Sequence, residues 1–242
     1  MSIIDIVIPV YNQCEKLIDC LKSLQKQTFQ DFLITIVNDG STDGVELTLE
    51  AWLRSENIRA KNAINEISTK TKIIHQNHIG ASAARNRGAK ETSCEYILFC
   101  DADLILNKTF LEKSFNTLKK NPHYSYCYTS FKYGWKKFKL WEFDENKLRQ
   151  MPYIHTTSLM RRVDFPWFDE NMKRFQDWDL WLTMLENGNK GIWIPECLFK
   201  VRSNGTMSKW IPEFMYRYFK KNKKVEDYNN AMEIIKSKHL LQ

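Results

Sequence analysis

The order in which apolar runs and turn clusters alternate constrains this chain most. Within residues 1–103, four short apolar runs (3–10, 32–37, 72–76 and 96–100) are separated by helical patterns, and each run stops in polar residues. The first run is nearly all β-branched and apolar without alternation, which suits a strand buried on both faces of a parallel sheet, with Pro9 ending its pairing. Apolar residues at three- and four-residue steps (Leu17, Leu21, Leu24) predict a helix over 13–27, and Ala-rich 80–90 predicts another. Repeated strand-then-helix order implies a parallel α/β sheet with helices on both faces.

After Lys120 the rhythm changes. Residues 124–131 and 135–143 read as antiparallel or edge strands, 154–160 as a further strand and 177–186 as a helix. The stretch from Trp210 mixes aromatic residues with lysines and reads as a basic helical tail. The expected organisation is one domain over 1–209, in two halves (1–103 and 104–209), followed by the tail 210–242.

Thirty-six Lys+Arg against 29 Asp+Glu give a formal charge of +7, which favours anionic partners without choosing among phosphates, nucleic acid and an acidic membrane. Six scattered cysteines without a CxxC pair read as reduced thiols. The first residues, MSIIDIVIPVYNQ, lack a basic n-region and carry Asp5 inside the apolar run, so they read as a strand rather than a signal peptide. No run of eighteen apolar residues occurs, and a cytoplasmic chain, peripheral at most to the inner face of a membrane, is the expectation.

Open parallel sheets bind ligands beyond the carboxyl ends of their strands, which directs attention to Tyr11-Asn12, Asn38-Asp39, 75–80 and Asp101-Ala102-Asp103. Neither GxGxxG nor GxxxxGK[ST] occurs there. Carboxylates stand at two strand ends instead. They repel a diphosphate unless Mg2+ or Mn2+ neutralises both sides, so Asp101 and Asp103 form a candidate metal site. A DxD triplet arises by chance on the order of once per chain; its place directly after the apolar YILFC gives it weight.

The ordered motifs IVIPVYNQ, IVNDGSTD, GASAARNRGA, YILFCDADL and FQDWDLWL resemble the family-two glycosyltransferases of the GT-A fold, over about residues 3–208. The resemblance implies an inverting transfer of a sugar from a nucleoside diphosphate, UDP favoured, to a saccharide or lipid-linked saccharide hydroxyl. It assigns Pro9, Tyr11, Asn12, Asp39, Arg85 and Asp101 to the nucleotide, Asp103 to Mn2+ or Mg2+, and Asp177 to the general base. Gln176 stands where the family usually has Glu. Trp178 and Arg202 are assigned to the acceptor side or to a loop over the diphosphate. Asp179 reads as an idle charge at a helix N-terminus; His155 could line the acceptor cleft, but a lone His beside a strand reads first as a structural residue. The rival reading is a basic module that binds nucleic acid or an anionic membrane surface without catalysis.

Overall fold

The computed structural model describes residues 2–59, 67–202 and 223–241. Strand β1 (Ile4–Val10) lies between β2 (Phe32–Asp39) and β4 (Tyr96–Phe99), and β3 (Thr71–Gln76) extends the sheet beyond β2; all four are parallel. Helices α1 (Cys14–Gln25), α2 (Val45–Arg59) and α3 (Ala81–Lys90) make the connections. The chain steps from β1 outward through β2 and β3, then returns to β4 on the other side of β1. That reversal opens a crevice at the carboxyl ends of β1 and β4.

The remaining strands are β5 (Leu104–Leu106), β6 (Tyr126–Tyr133), β7 (Lys136–Phe138), β8 (Leu159–Arg161) and β9 (Gly191–Val201). Among the described residues they complete one sheet in the order β3-β2-β1-β4-β8-β6-β9-β5, with β7 paired to β6. β6 is antiparallel to β7 and β8, as expected, but parallel to β9, so it is an interior strand.

Both faces of β1 are buried. Ile4, Ile6, Ile8 and Val10 pack on one side with Leu17, Leu21 and Leu24 of α1 and with Phe110, Leu111 and Leu118 of α4 (Phe110–Lys120). Val7 faces the other core, formed with Ala84 of α3, Leu148 of α5 (Glu145–Gln150), Trp178 and Trp181 of α6 (Gln176–Glu186) and Ile235 of α7 (Lys223–Lys238). Each fully buried branched side chain contributes roughly 1.5–3 kcal/mol. A Cβ on Gly88 would stand 2.3 Å from Val7 Cγ1, so only glycine lets α3 lie this close to β1.

Two expected strands are shorter than their apolar patterns. Of 154–160 only the end is strand, because side chains satisfy the backbone before it. His155 Nδ1 accepts the Thr157 N–H (3.0 Å), and Ser158 Oγ donates to the His155 carbonyl (2.9 Å). Of 135–143 only β7 is strand. Beyond it, the Leu140 N–H donates to Ser130 Oγ (3.0 Å) and the Tyr128 hydroxyl to the Trp141 carbonyl (2.8 Å). Asp144 then caps α5 by accepting the Lys147 N–H (3.0 Å).

The expected basic aromatic tail falls mostly outside the described residues. Its described end, α7, belongs to the second core through Ile235 and is fastened by ion pairs to α6. Asp179 Oδ1, on a nearly inaccessible side chain, meets Lys238 Nζ (2.7 Å) and His239 Nε2 (2.9 Å), and His239 Nδ1 meets Glu186 (2.8 Å). The expectation of an idle helix-terminal charge at Asp179 is therefore corrected: it anchors the last helix. All six cysteines are free thiols, as expected.

Candidate active site

A cleft of about 780 Å3 opens at the carboxyl ends of β1 and β4. Pro9 comes from β1 and Tyr11 from just after it, Asp39 from β2, 80–85 from the start of α3, Asp101 and Asp103 from the turn after β4, His155 from the segment before β8 and Gln176 from the first position of α6. Parallel pairing of β1 with β2 and β4 sets these strand ends side by side, so residues far apart in sequence meet here.

Arg85 and Asp101 form the charged centre. Arg85 is 5% exposed; its Nη2 lies 2.6 Å from Asp101 Oδ1 and its guanidinium lies over the Phe168 ring at 5.3 Å. Burial pushes the Asp101 carboxyl upward, but the adjacent guanidinium outweighs it and holds the group below the ordinary carboxylate range. Asp103 has the opposite environment. Burial, and then the negative charge of Asp101, push it up to about 6.

This carboxylate pair fits a divalent cation that also binds diphosphate oxygens. Mg2+ and Mn2+ of that kind take one or two protein carboxylates and complete their shell with phosphate and water. Asp103 holds a charge that its surroundings leave poorly compensated, which a cation would relieve. Among the described residues no group of three or more His, Cys, Asp and Glu side chains could form an all-protein cage.

The start of α3 forms the facing wall. The first N–H groups of a helix lack intrahelical partners and favour an anion. Here Gly80 N–H is already taken by Asp39, at 2.9 Å. Ser82 Oγ and Arg85 Nε are buried without a hydrogen-bond partner among the described residues, so this wall holds donors that the fold leaves over.

Asp39 is more occupied than the sequence suggests. Its carboxylate accepts Gln76 Nε2 (2.7 Å) and the Ile79 N–H (2.9 Å) on one oxygen, and the Gly80 N–H (2.9 Å) on the other, which also pairs with His78 Nδ1 (2.8 Å). It therefore shapes the loop from β3 to α3, and a nucleobase N–H reaching it has to share or displace one of these donors. Tyr11 is 39% exposed and stacked on the His78 ring, with centroids 3.9 Å apart.

Three expected site residues are placed differently. Asn12 stands outside the cleft lining: with φ of 50° it turns the chain after β1, its N–H donates to Ser41 Oγ (3.1 Å), and its Oδ1 accepts the Thr42 N–H (2.8 Å). Trp178 is 1% exposed, with Nε1 donating to the Leu148 carbonyl (2.6 Å), so it is core and presents no face to an acceptor. Arg202 pairs with Asp19 of α1 rather than covering the cleft, although its N–H donates to the Asp103 carbonyl (2.9 Å).

Asp177 occupies the first turn of α6, half-buried, and its Oδ1 accepts the Trp178 N–H (2.9 Å). Burial raises its carboxyl above the ordinary range, against the attraction of His155 and Arg85. Gln176, not Asp177, lines the cleft wall itself.

His155 is the residue that sequence reasoning undervalued. Its ring packs near Phe131 and Phe199, with centroids 5.4 and 5.0 Å away, and it lies within the fields of both Asp101 and Asp177. Burial lowers its pKa against the pull of Asp101 and Asp177, which favours the neutral ring. Because Nδ1 accepts the Thr157 N–H, the proton sits on Nε2. No local sequence pattern announces this, since both carboxylates come from distant segments.

The Glycosyl transferase family 2 model matches residues 5–174, ending just before Asp177. An uncharacterized glycosyltransferase of Rickettsia conorii is 30% identical over 214 residues, 82% of this chain and 32% of its own length. The glycosyltransferase GlyG of Streptococcus pneumoniae is 29% identical over 120 residues, 49% of this chain and 36% of its own. The chain thus spans about a third of the length of these relatives. Among solved structures, Staphylococcus aureus TarS 1–349 in complex with UDP superposes with a TM-score of 0.67 at 19% identity, covering 90% of this chain and 63% of that one. The mannosyltransferase PcManGT of Pyrobaculum calidifontis, in complex with GDP-Man and Mn2+, superposes with a TM-score of 0.64 at 15% identity, covering 85% and 57%. With its parallel sheet, its crevice between β1 and β4 and its matched family model, the chain belongs to glycosyl transferase family 2 and has the GT-A fold.

Proposed function

We propose that this chain transfers a sugar from a nucleoside diphosphate, UDP favoured, to a hydroxyl of a saccharide or lipid-linked saccharide, with inversion at the anomeric carbon. The observation that carries the reading is one cleft holding the buried Arg85–Asp101 pair, the poorly compensated Asp103 and the start of α3. The UDP complex of one structural neighbour and the GDP-Man and Mn2+ complex of another support a nucleotide donor and a divalent metal.

In this reading the base and ribose lie against Pro9, Tyr11 and Asp39, and the diphosphate lies between the start of α3 and Asp103. Arg85 supplies positive charge and holds Asp101 ionised and oriented. Asp103 would hold Mg2+ or Mn2+; when bound, the ion neutralises charge on the diphosphate leaving group. Asp177 takes the proton of the acceptor hydroxyl, a role that its raised pKa favours at neutral pH. The freed oxygen pair forms the new bond to the anomeric carbon, and the bond to the diphosphate breaks with its electrons on the departing oxygen. Neutral His155, with Nε2–H as donor near both carboxylates, orients the acceptor oxygen or the departing group. Gln176 lines the wall without adding a second negative charge beside the base.

Calorimetric titration with UDP, GDP and dTDP, each with Mn2+ and with EDTA, tests the donor site. Metal-dependent binding of one nucleotide, weakened at least tenfold by Asp103→Ala, is expected; no binding of any of them refutes the proposal.

A further inference from the structure

The β6–β7 hairpin carries a feature that the transfer reaction does not use. Tyr133 pairs with Lys136, which leaves Gly134 and Trp135 as a two-residue loop, and Gly134 has the positive φ, 57°, favoured at the first position of such a loop. Trp135 is then the apex residue and is 103% exposed, so its whole indole stands in water. Flanking it, Lys132, Lys136, Lys137 and Lys139 fall within eight residues, and no acidic residue occurs between 131 and 141.

Burial elsewhere in the fold treats indoles differently. Trp178 and Trp181 are fully buried, each with its N–H donating to a carbonyl. A fully exposed tryptophan at a convex tip has no concave wall around it to hold a peptide or a sugar ring. Such a tip can bury its indole by entering a deformable surface, and the lysines around it favour a negatively charged one.

The hairpin is also fixed relative to the cleft. Its Phe131 and Tyr133 line the cleft wall. The Gly134 N–H donates to the Val201 carbonyl (3.2 Å), and the next residue, Arg202, donates its N–H to the Asp103 carbonyl (2.9 Å). Two hydrogen bonds and one residue thus link the tip to the carboxylate loop.

We infer that the Trp135 hairpin is an interfacial anchor that inserts its indole into the headgroup region of an anionic lipid surface and sets the cleft mouth against it. The inference concerns where the protein sits and stands independently of the proposed nucleotide chemistry.

The test is co-sedimentation of the full chain with phosphatidylcholine vesicles, with and without about one-third phosphatidylglycerol, without nucleotide or metal. Binding to the anionic vesicles alone is expected, decreasing with salt. Trp135→Ala should weaken it at least about tenfold, since roughly half of an indole's large apolar surface leaves water on insertion. Lys137→Gln and Lys139→Gln should each weaken it about fivefold, the effect of one basic residue near an anionic surface. Thermal melting of all three variants should match the parent chain, because these side chains are exposed. Absence of vesicle binding by the parent chain overturns the inference. So does full binding by Trp135→Ala, or Trp135-dependent binding of a soluble anionic polysaccharide in place of vesicles.

Discussion

Replacing Arg85 by methionine removes the guanidinium and keeps the aliphatic stem, which isolates the charge of the Arg85–Asp101 pair. At 2.6 Å and an effective dielectric constant of about 20, the gross attraction is about 6 kcal/mol, and desolvation of both groups offsets part of it. Stranding one partner of a buried pair costs about 3–5 kcal/mol. The Asp101 side chain keeps 28% of its exposure, so water relieves some of this, and the lower end, about 3 kcal/mol, is expected. For a chain of this size that is a fall of about 6–12 °C in melting temperature. Asp101→Asn added to Arg85→Met removes the stranded charge and should recover about 2 kcal/mol. In the parent the depressed Asp101 pKa contributes stability that is present above the unfolded carboxylate pKa and is lost as pH falls through the folded one. Arg85→Met removes the main cause of that depression. Its deficit should therefore grow as pH rises above the unfolded carboxylate pKa and shrink as Asp101 is protonated in acid. Denaturant melts of the parent, both single variants and the double variant at two pH values decide the matter. A coupling below about 0.5 kcal/mol would show that Arg85 and Asp101 are independent, and the charged centre would have to be abandoned.

Asp177→Asn should lower turnover by about 10²–10⁴-fold while nucleotide binding, followed by calorimetry, stays within about twofold. Because the Asp177 pKa is raised, the parent rate should begin to fall with acidification at a higher pH than an ordinary carboxylate would dictate; a profile flat down to the ordinary range contradicts the assignment. The imidazole of His239 between Asp179 and Glu186 has a raised pKa, although burial alone would lower it. Its stabilising contribution should be complete below the unfolded histidine value and disappear as pH rises through the folded one, closing the gap in melting temperature between parent and His239→Ala at alkaline pH. Trp178→Ala should cost about 3–5 kcal/mol in a urea melt, as for a large core aromatic; a cost under about 1 kcal/mol would return Trp178 to the acceptor side.

The parallel part of the sheet was legible because a strand buried on both faces announces itself as an unbroken apolar run, and β1 and β4 do so. β9 was not foreseen. Pro195 interrupts its apolar pattern, and the strand tolerates it through irregular pairing with β6: Thr129 faces Ile194 and Ser130 faces Cys197, so Pro195 and Glu196 fall within the register shift. Asp43 stands in the turn before α2, where its carboxylate would cap that helix if only neighbouring residues mattered. Its Oδ2 instead accepts the Cys14 N–H (2.9 Å), at the start of α1, because parallel pairing of β1 with β2 brings the two strand-end loops together. Asp179 misled for the same reason on a longer scale, since Lys238 and His239 lie about sixty residues away and no window around position 179 contains them.

These long-range contacts also explain how a cleft assembled from both halves keeps its geometry. Asn86 of α3 donates to the Phe168 carbonyl (2.9 Å) and accepts the Phe168 N–H (2.9 Å), fastening the loop before α6 to the helix that carries Arg85. Phe168 in turn lies against the Arg85 guanidinium, so the loop that leads toward α6 is registered on the charged centre itself. From the other end, the Asp179 ion pairs tie α6 to α7 two residues after Asp177. Asp177, the proposed base, is thereby held on a helix fixed at both of its approaches. A change at Asn86 or Asp179 should therefore act on turnover through the position of Asp177, and leave the affinity for nucleotide to Arg85 and the residues around it.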